Sequence, residues 1–504
     1  MGEFSVISEP NLEFRYGQRI PDPHAGLNLF GPFDAELPSH PRSITYGVVG
    51  THDGIDQFRR FVKALNRPII SREYGNPEED QRGHLLWPPF PGFDEAFACR
   101  LDDEPSWAKE LDATTLLSAV QSADPHKRAF DAANFYLEAL RLADERDESF
   151  GVIFCIEPDE VWRNCRPRSV VFETTGLRPS KKEVVLRREH GDLFDSFDPE
   201  QYRLSVDFRR QLKARAMEFS APIQLVREST LTIDDSKQNR RNLTVLSDRA
   251  WNIGTTAYYK AGGKPWRLAS AREGVCYIGF AFKRDETSQN YKTACCAAQM
   301  FLDTGDGVVF RGQYGPWYSP EKNEYHLNRE SARTLLRGVL DTYHEQGGKQ
   351  LKEIFLHSRS SISLEEFEGY SEACPKDVAM VGIRVQSARD EMRLYRRGKW
   401  PVLRGTVWQL NDRAAYLWGS GFKPTVLSYD GWEVPVPLRI DIQYGTGDLG
   451  QICEDILGLT KLNYNACKLG ASQPVTILFS DDVGEILVSN PTIKTRRPNF
   501  KYYI

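Results

Sequence analysis

Four side chains that could together hold one phosphate group fall within a basic stretch of an otherwise acidic chain. They are Arg209, Lys213, Gln224 and Lys260. The window 203–267 contains thirteen Lys/Arg and six Asp/Glu, a net charge of +7, whereas the whole 504-residue chain carries −5. A terminal phosphate has about two negative charges and several acceptor oxygens, so converging Lys, Arg and Gln donors suit it. The window therefore predicts capture of a nucleic-acid 5′ phosphate, and a solvated helix face with scattered charges is the alternative.

Two predicted helices and the segment between them set the positions of these donors. A helix over 203–219 places Arg209 and Lys213 one turn apart, so that both reach the same side. A second helix, over 247–260, ends at Lys260 because two glycines follow shortly after it. Donors at helix ends and faces are well placed to bind an anion.

The wider pattern predicts an α/β protein of two domains. Apolar runs with the character of buried strands alternate with amphipathic helices, which is typical of a parallel sheet flanked by helices. We predict an extended N-terminal segment over 1–42, a first domain over 43–267 and a second over 268–504. Strands are predicted at 43–51, 151–161, 274–284, 307–312, 352–358, 378–385 and 474–480, and helices at 53–65, 127–145, 327–346 and 363–373.

Composition narrows the class of protein. The chain is 40% hydrophobic and 27% charged, as in ordinary globular proteins, and no apolar run approaches the roughly 18–20 residues that cross a bilayer. The N-terminus does not resemble a signal peptide. Nine cysteines without a CxxC pair argue against zinc fingers and disulfide frameworks. We expect a cytoplasmic protein without a membrane partner, whose positive charge is concentrated in a pocket or channel.

The phosphate-binding candidates lie in motifs that resemble a known family. FRRQLK (208–213), PIQLV (222–226) and YYKAGG (258–263) resemble the MID domain of Argonaute proteins, whose guide 5′-phosphate ligands match Arg209, Lys213, Gln224 and Lys260. Downstream, a series of motifs resembles the PIWI domain in order and approximate spacing: KPWRLA, CYIGFAF, EIFLHS, LTKLNYN and PVTILFSDD. The resemblance covers about 40–504. It implies a Rossmann-like MID domain and a ribonuclease-H-like PIWI domain.

The resemblance also indicates that the PIWI domain does not cut. Slicing members bind two divalent ions through carboxylates, and the matching positions here are Ala281 in GFAF, Ser358 in IFLHS and Asp481 in LFSDD. The glutamate of the site is not placed. Since alanine offers no ligand atom, we expect no catalytic residues, and we interpret Asp481 and Asp482 as a solvated turn. An active guided endonuclease remains the alternative.

The resemblance further implies partners. A MID–PIWI chain looks like a short prokaryotic Argonaute, which holds a guide RNA, recognises complementary target DNA and works in defence against plasmids or phage. Its catalysis then comes from an APAZ-containing effector, which is a TIR or sirtuin-like NAD-consuming protein or a nuclease. The family also implies Mg²⁺ at the guide 5′ phosphate, bound by the C-terminal carboxylate of Ile504. A further alternative is the structural half of a toxin pair whose nucleic-acid binding is vestigial.

Overall fold

The chain is described by a computed structural model. Of residues 283–284, 294–301, 307–314, 317–319 and 488, only the backbone is described. The described residues are 3–70, 85–172, 174–189, 197–234, 243–284, 294–301, 307–314, 317–319, 324–345, 350–429, 431, 433–488, 490, 492–493, 495 and 497–504.

Twenty strands are assigned within these ranges. In chain order they are β1 Glu3–Val6, β2 Leu12–Glu13, β3 Arg19–Ile20, β4 Ser43–Ile44, β5 Tyr46–Gly50, β6 Arg100–Leu101, β7 Trp107–Glu110, β8 Val152–Glu157, β9 Ile223–Arg227, β10 Arg267–Leu268, β11 Val275–Arg284, β12 Ala294–Phe301, β13 Gly307–Tyr314, β14 Trp317–Ser319, β15 Glu324–His326, β16 Glu353–Ser358, β17 Ala379–Ser387, β18 Thr406–Asn411, β19 Ala414–Leu417 and β20 Leu438–Tyr444.

The helices alternate with these strands over most of the chain. They are α1 Pro23–Phe30, α2 His52–Leu65, α3 Phe93–Phe97, α4 Ala113–Ala119, α5 Pro125–Asp144, α6 Asp159–Asn164, α7 Lys181–Glu189, α8 Pro199–Arg203, α9 Phe208–Arg215, α10 Leu246–Lys260, α11 Arg329–Glu345, α12 Leu364–Ala373, α13 Leu449–Leu459 and α14 Val475–Val488. None of the helices that these described residues form is both long and apolar enough to cross a bilayer.

A parallel sheet forms the centre of the first half. Its order is β7–β5–β8–β9, and all three pairings are parallel. Every residue of β8 is buried, because helices cover both faces of a sheet of this kind. The helices that follow β5 and precede β8 begin at side-chain caps, Thr51 for α2 and Asp124 for α5. The predicted Rossmann-like fold is confirmed.

The helix predicted over 203–219 is wrong as one continuous element. Helix α8 ends at Arg203, and Leu204 is extended. A new helix, α9, begins at Phe208 because the side chain of Asp207 accepts a hydrogen bond from the Arg210 amide. Arg209 still lies one turn before the next predicted donor on the same helix.

The second half contains a nine-stranded mixed sheet of order β1–β18–β19–β20–β17–β16–β11–β12–β13. Strands β11, β12 and β13 pair antiparallel, whereas β16 and β17 run parallel to β11. Helices α11 and α12 pack with Cys276 and Ile278 on one face. Helices α13 and α14 pack with Val275 and Tyr277 on the other. This is the predicted ribonuclease-H-like arrangement.

The strand predicted over 474–480 is wrong, because this segment begins helix α14. The apolar run suggested a strand, yet it continues at Val483, Ile486 and Leu487 with helical spacing. The helix is apolar around most of its circumference because it is buried between elements. It lies directly on β11, where a Cβ on Gly279 would come 1.9 Å from the Thr476 carbonyl oxygen.

The N-terminal segment is less extended than predicted. It contains helix α1, which begins where the Asp22 side chain accepts a hydrogen bond from the His24 amide. Strand β1 joins the large sheet at β18, and β2 pairs with β10. Buried Arg404 and Lys461 both form ion pairs with Glu9. The segment therefore packs on the second half, and the domain boundaries near 42 and 268 stay predictions.

Candidate nucleic-acid site

The four predicted phosphate donors lie on three elements around the edge of the first sheet. Arg209 and Lys213 are on α9, Gln224 is the second residue of β9, and Lys260 is the last residue of α10. Such folds usually bind ligands at the carboxyl ends of their parallel strands, whereas Gln224 lies near the amino end of β9. The register places Gln224 beside Phe154 of β8.

A cavity of about 360 Å³ brings together most of these residues. Arg209, Lys213, Gln224 and Ile504 all line it, while Lys260 is not among its lining residues. Ile504 belongs to the far end of the second half of the chain, so the cavity lies where the two halves meet. Its complete lining is Glu157, Trp162, Arg166, Asp207, Arg209, Lys213, Gln224, Leu225, Arg227, Asn465 and Ile504.

The two lysines converge on one main-chain oxygen. Lys260 Nζ donates to the oxygens of Ile504 at 2.5 Å, Ile223 at 2.7 Å and Lys501 at 3.1 Å. Lys213 Nζ donates to the same Ile504 oxygen and to that of Tyr503 at 3.3 Å. An ammonium group has three donors, so Lys260 is fully engaged within the protein. Lys213 donates to two oxygens, and its ammonium group also lies within hydrogen-bonding reach of Lys260.

Burial and nearby positive charges lower the pKa values of both lysines. Burial, followed by the charges of Lys260 and Arg209, lowers the pKa of Lys213 well below its usual range. Burial, followed by the charge of Arg209, lowers the pKa of Lys260 to about 7. An anion placed between these groups would relieve the repulsion and favour their charged forms.

Arg209 and Gln224 are placed differently. Arg209 is exposed, and it has no ion-pair partner among the described residues. The Gln224 amide nitrogen donates to the Leu225 carbonyl at 3.0 Å, and its buried amide oxygen has no hydrogen-bond partner within the described part of the chain. Arg209 could therefore contact an anion without losing an ion pair, whereas the Gln224 amide nitrogen would first have to leave the Leu225 carbonyl.

The sequence did not single out the opposite wall of the cavity. The Arg227 guanidinium lies 3.7 Å from the Trp162 ring centre, and that of Arg166 lies 4.1 Å from it. Burial and the nearby charge of Asp207 raise the pKa of Glu157 to about 8. Glu157 ends strand β8, and a carboxyl at the end of a buried parallel strand is the sequence signal that could have indicated it.

The donors described at Ile504 do not fit a Mg²⁺ ion. Mg²⁺ requires about six oxygen ligands in octahedral geometry, whereas two lysine ammonium groups occupy the Ile504 oxygen. No group of three or more His, Cys, Asp or Glu suited to a metal is found in the described ranges. Mg²⁺ at this position stays a prediction, and we derive no step through it.

The three positions matched to the slicing site lie together on the second sheet and helix α14. Ser358 is in register with Phe280, the neighbour of Ala281, and on its other side with Arg384. The interpretation of Asp481 and its neighbour as a solvated turn is wrong, because both lie within α14 and Asp481 forms an ion pair with Arg359. A helix packed on the sheet presents this carboxylate to the arginine that follows β16.

Two arginines, Arg359 and Arg384, lie next to the positions matched to the slicing site. Arg359 also donates to Gln473 at 2.9 Å. Arg384 donates to the Arg359 carbonyl at 3.3 Å and pairs with Glu324 at 3.0 Å. The Arg359 guanidinium group beside Asp481 disfavours a divalent cation there, because like charges repel at short range.

The two sheets define an α/β protein in which a Rossmann-like unit and a ribonuclease-H-like unit enclose a basic cavity. Their combination is the Argonaute-like MID–PIWI fold. Solved structures share it over the whole chain: Clostridium butyricum Argonaute bound to a guide DNA and a 19-mer target DNA matches with a TM-score of 0.62 at 15% identity, covering 100% of this chain and 55% of that one.

Two further structures agree. A. aeolicus Argonaute gives a TM-score of 0.56 at 13% identity, covering 99% of this chain and 56% of its own. Drosophila Piwi gives 0.56 at 14% identity, with 100% and 56% covered. The chain thus spans about half the length of these proteins. No protein-family model and no curated protein matches the sequence. The predicted fold is confirmed, and the roles of the site residues stay predictions.

Proposed function

We propose that this protein holds a nucleic-acid guide by its 5′ phosphate, recognises a complementary target and signals that event to a separate effector without cutting. One observation carries the proposal. Arg209, Lys213, Gln224 and Ile504, which are far apart in sequence, line one cavity in an Argonaute-like fold. Base pairing would then read the sequence, while the protein contacts backbone and shape.

The cavity favours a dianionic phosphate over a neutral group. Lys213 and Arg209 line the cavity, Arg209 is exposed, and Lys260 lies behind the wall, where it shares the Ile504 oxygen with Lys213. Charge-assisted hydrogen bonds of this kind are about twice as strong as neutral ones. An entering phosphate competes with the Tyr503 and Ile504 oxygens for Lys213 and offers that buried ammonium a stronger acceptor.

The absence of cutting is supported by chemistry at the second sheet. Two-metal hydrolysis needs several converging carboxylates. Ala281 and Ser358 supply none, and Asp481 is already paired with Arg359. Recognition without cleavage requires another catalyst, so we propose an APAZ-containing effector, a TIR or sirtuin-like NADase or a nuclease, as partner in cytoplasmic defence.

The binding proposal is tested by comparing 5′-phosphorylated with 5′-hydroxyl oligonucleotides, as both RNA and DNA, in a filter-binding assay. Replacing Arg209→Gln removes charge-assisted hydrogen bonds worth about 1.5–3 kcal/mol each, so phosphate discrimination should fall about ten- to one-hundredfold. Arg141→Gln is the matched control, since Arg141 is an exposed arginine on α5 outside the cavity. Equal losses in both variants would refute the site. We expect the preferred guide to be RNA and its target DNA.

The proposal that this chain binds the target without cutting it is tested by incubating the chain with guide, labelled target and Mg²⁺ or Mn²⁺. We expect no site-specific cleavage by this chain alone. Guide-directed cleavage that disappears in Asp481→Asn would establish the active endonuclease instead. Purification of the chain from its host, followed by identification of the accompanying polypeptide, decides whether an effector is bound. Recovery of guide and chain with no second polypeptide would reject the effector.

A further inference from the structure

The large sheet ends at a short strand whose outer edge is open. Strand β1 pairs with β18 and, among the described strands, with no other. All four β1 residues are exposed. An open strand edge presents backbone donors and acceptors to which another chain can pair.

The backbone groups that point outward can be assigned. In an antiparallel pair, hydrogen bonds to a given neighbour involve every second residue. Ile7 donates to the Gly405 carbonyl at 2.9 Å, and Ser5 is two residues earlier in the same register. The amide and carbonyl groups of Phe4 and Val6 therefore face away from β18.

The same two residues present apolar side chains to solvent. Phe4 is 54% and Val6 is 55% exposed. Phe4 stacks on Trp408 with ring centres 5.5 Å apart, and Trp408 stacks on Tyr416 at 5.7 Å. These aromatic rings form a row across the end of the sheet, so a further strand would extend an apolar face that already exists.

A groove lies beside this edge, on the side of helix α13. It encloses about 540 Å³. Its lining residues come from the segment that includes β1, from the turn after β10, from β18 and from the first half of α13: Ser5, Val6, Ile7, Ser8, Glu9, Pro10, Asn11, Ser270, Val407, Gln409, Leu449, Gly450, Cys453 and Glu454. A strand edge flanked by a helix is a recurring site for extended peptides.

The charge of the groove indicates what it accepts. Its lining contains two acids, Glu9 and Glu454, and no lysine or arginine. Glu9 is neutralised by Arg404 and Lys461, whereas Glu454 is exposed. Glu3 adds a further exposed carboxylate on β1. A second copy of this chain would bring the same acids together, so a basic strand is the better complement.

We infer that the β1 edge binds an extended segment of another protein by strand addition. Side chains alternate between the two faces of a strand. One face of the bound segment is apolar and packs beside Phe4 and Val6, and the other carries Lys or Arg toward Glu454. This inference is independent of the proposed guide binding.

The test uses the full-length chain and a fluorescein-labelled nine-residue peptide of alternating Val and Lys, followed by fluorescence anisotropy. Val6→Pro removes one outward N–H and leaves the pairing of Ser5 and Ile7 with β18 intact, so binding should weaken about five- to tenfold. Val6→Thr, which keeps the N–H but makes the side chain more polar, should weaken binding less than Val6→Pro does. Glu454→Lys should weaken peptide binding more at low salt than at high salt, because salt screens the charge repulsion.

Two results would overturn the inference. One is peptide affinity unchanged by Val6→Pro in a variant with parental melting temperature. The other is a concentration-dependent dimer, seen by analytical ultracentrifugation and abolished by Val6→Pro, which would assign the edge to a second copy. A peptide with Glu in place of Lys should not bind, and equal binding of that peptide would contradict the assigned charge.

Discussion

The low pKa of the buried lysines makes 5′-phosphate affinity depend on pH in a direction that can be worked out. Lys260 titrates at about 7 in the free protein, and the pKa of Lys213 is also well below its usual range. A bound phosphate favours the charged lysines and raises both pKa values. Binding therefore takes up protons, and affinity falls as pH rises above the free-protein pKa.

The size of the effect follows from Lys260. With a pKa of about 7, about half of the free protein carries the charged form at pH 7 and about 3% at pH 8.5. Affinity should fall about 15-fold across this interval if the bound form stays charged, and titration of Lys213 steepens the slope. The phosphate itself does not contribute, because its second pKa is about 6.

The assay is a titration of phosphorylated guide between pH 7 and 8.5 at constant ionic strength, with a 5′-hydroxyl guide measured in parallel. The other titrating group in the cavity is Glu157, whose pKa is about 8. Its charging above that pH would also repel phosphate. Glu157→Gln removes this contribution and should leave the lysine-dependent slope in place.

Three outcomes would refute the reasoning. The affinity for phosphorylated guide could stay flat over the interval. The hydroxyl guide could show the same slope. The slope could also vanish in Glu157→Gln, which would assign the proton to the carboxyl and not to the lysines.

The remaining predictions concern stability. The pKa of Lys260 in the folded protein is about 7, below its ordinary value of 10.5, so between these two pH values the unfolded chain binds more protons than the folded one. The free energy of unfolding should therefore rise with pH by up to about 1.4 kcal/mol per pH unit. Lys260→Met should flatten this rise, measured by urea unfolding. Gly279→Ala forces a Cβ against Thr476 and should cost about 1–3 kcal/mol or more, measured as a lower melting temperature. Arg404→Met removes one of the two cationic partners of Glu9 and the hydrogen bonds to the Gly419 and Ala471 carbonyls, and should cost about 1–3 kcal/mol; an unchanged melting temperature would show that these contacts contribute little.

The sequence predicted the fold well where periodicity was unambiguous. Strand β8 is apolar throughout because both of its faces are buried. Helix α5 is amphipathic because it buries one side. The prediction of a strand was wrong at helix α14, although the same continuous apolar pattern predicted strand β8 correctly. A segment buried on most sides is apolar throughout, and composition alone then does not distinguish a strand from a helix.

The candidate site was predictable only in part. Arg209 and Lys213 share a helix, so local spacing was enough to place them together. Their meeting with Ile504 is a tertiary contact between distant parts of the chain, which no spacing rule contains. In the cavity wall, a single aromatic such as Trp162 carries no pattern of its own, whereas Glu157 could have been found from its position at the end of a buried parallel strand.

Helix α14 connects the phosphate cavity with the positions matched to the slicing site. Asp481 pairs with Arg359 after β16, and one turn later Glu485 pairs with Arg210 on α9. The side chain of Asn490 also donates to the Arg210 carbonyl at 3.3 Å. Helix α9 carries two of the predicted phosphate donors, so a ligand that moved α9 would act on a helix that also contacts the second sheet. Asp481, the position that the sequence matched to the slicing site, is paired with Arg359, so α14 is held by one ion pair at each unit.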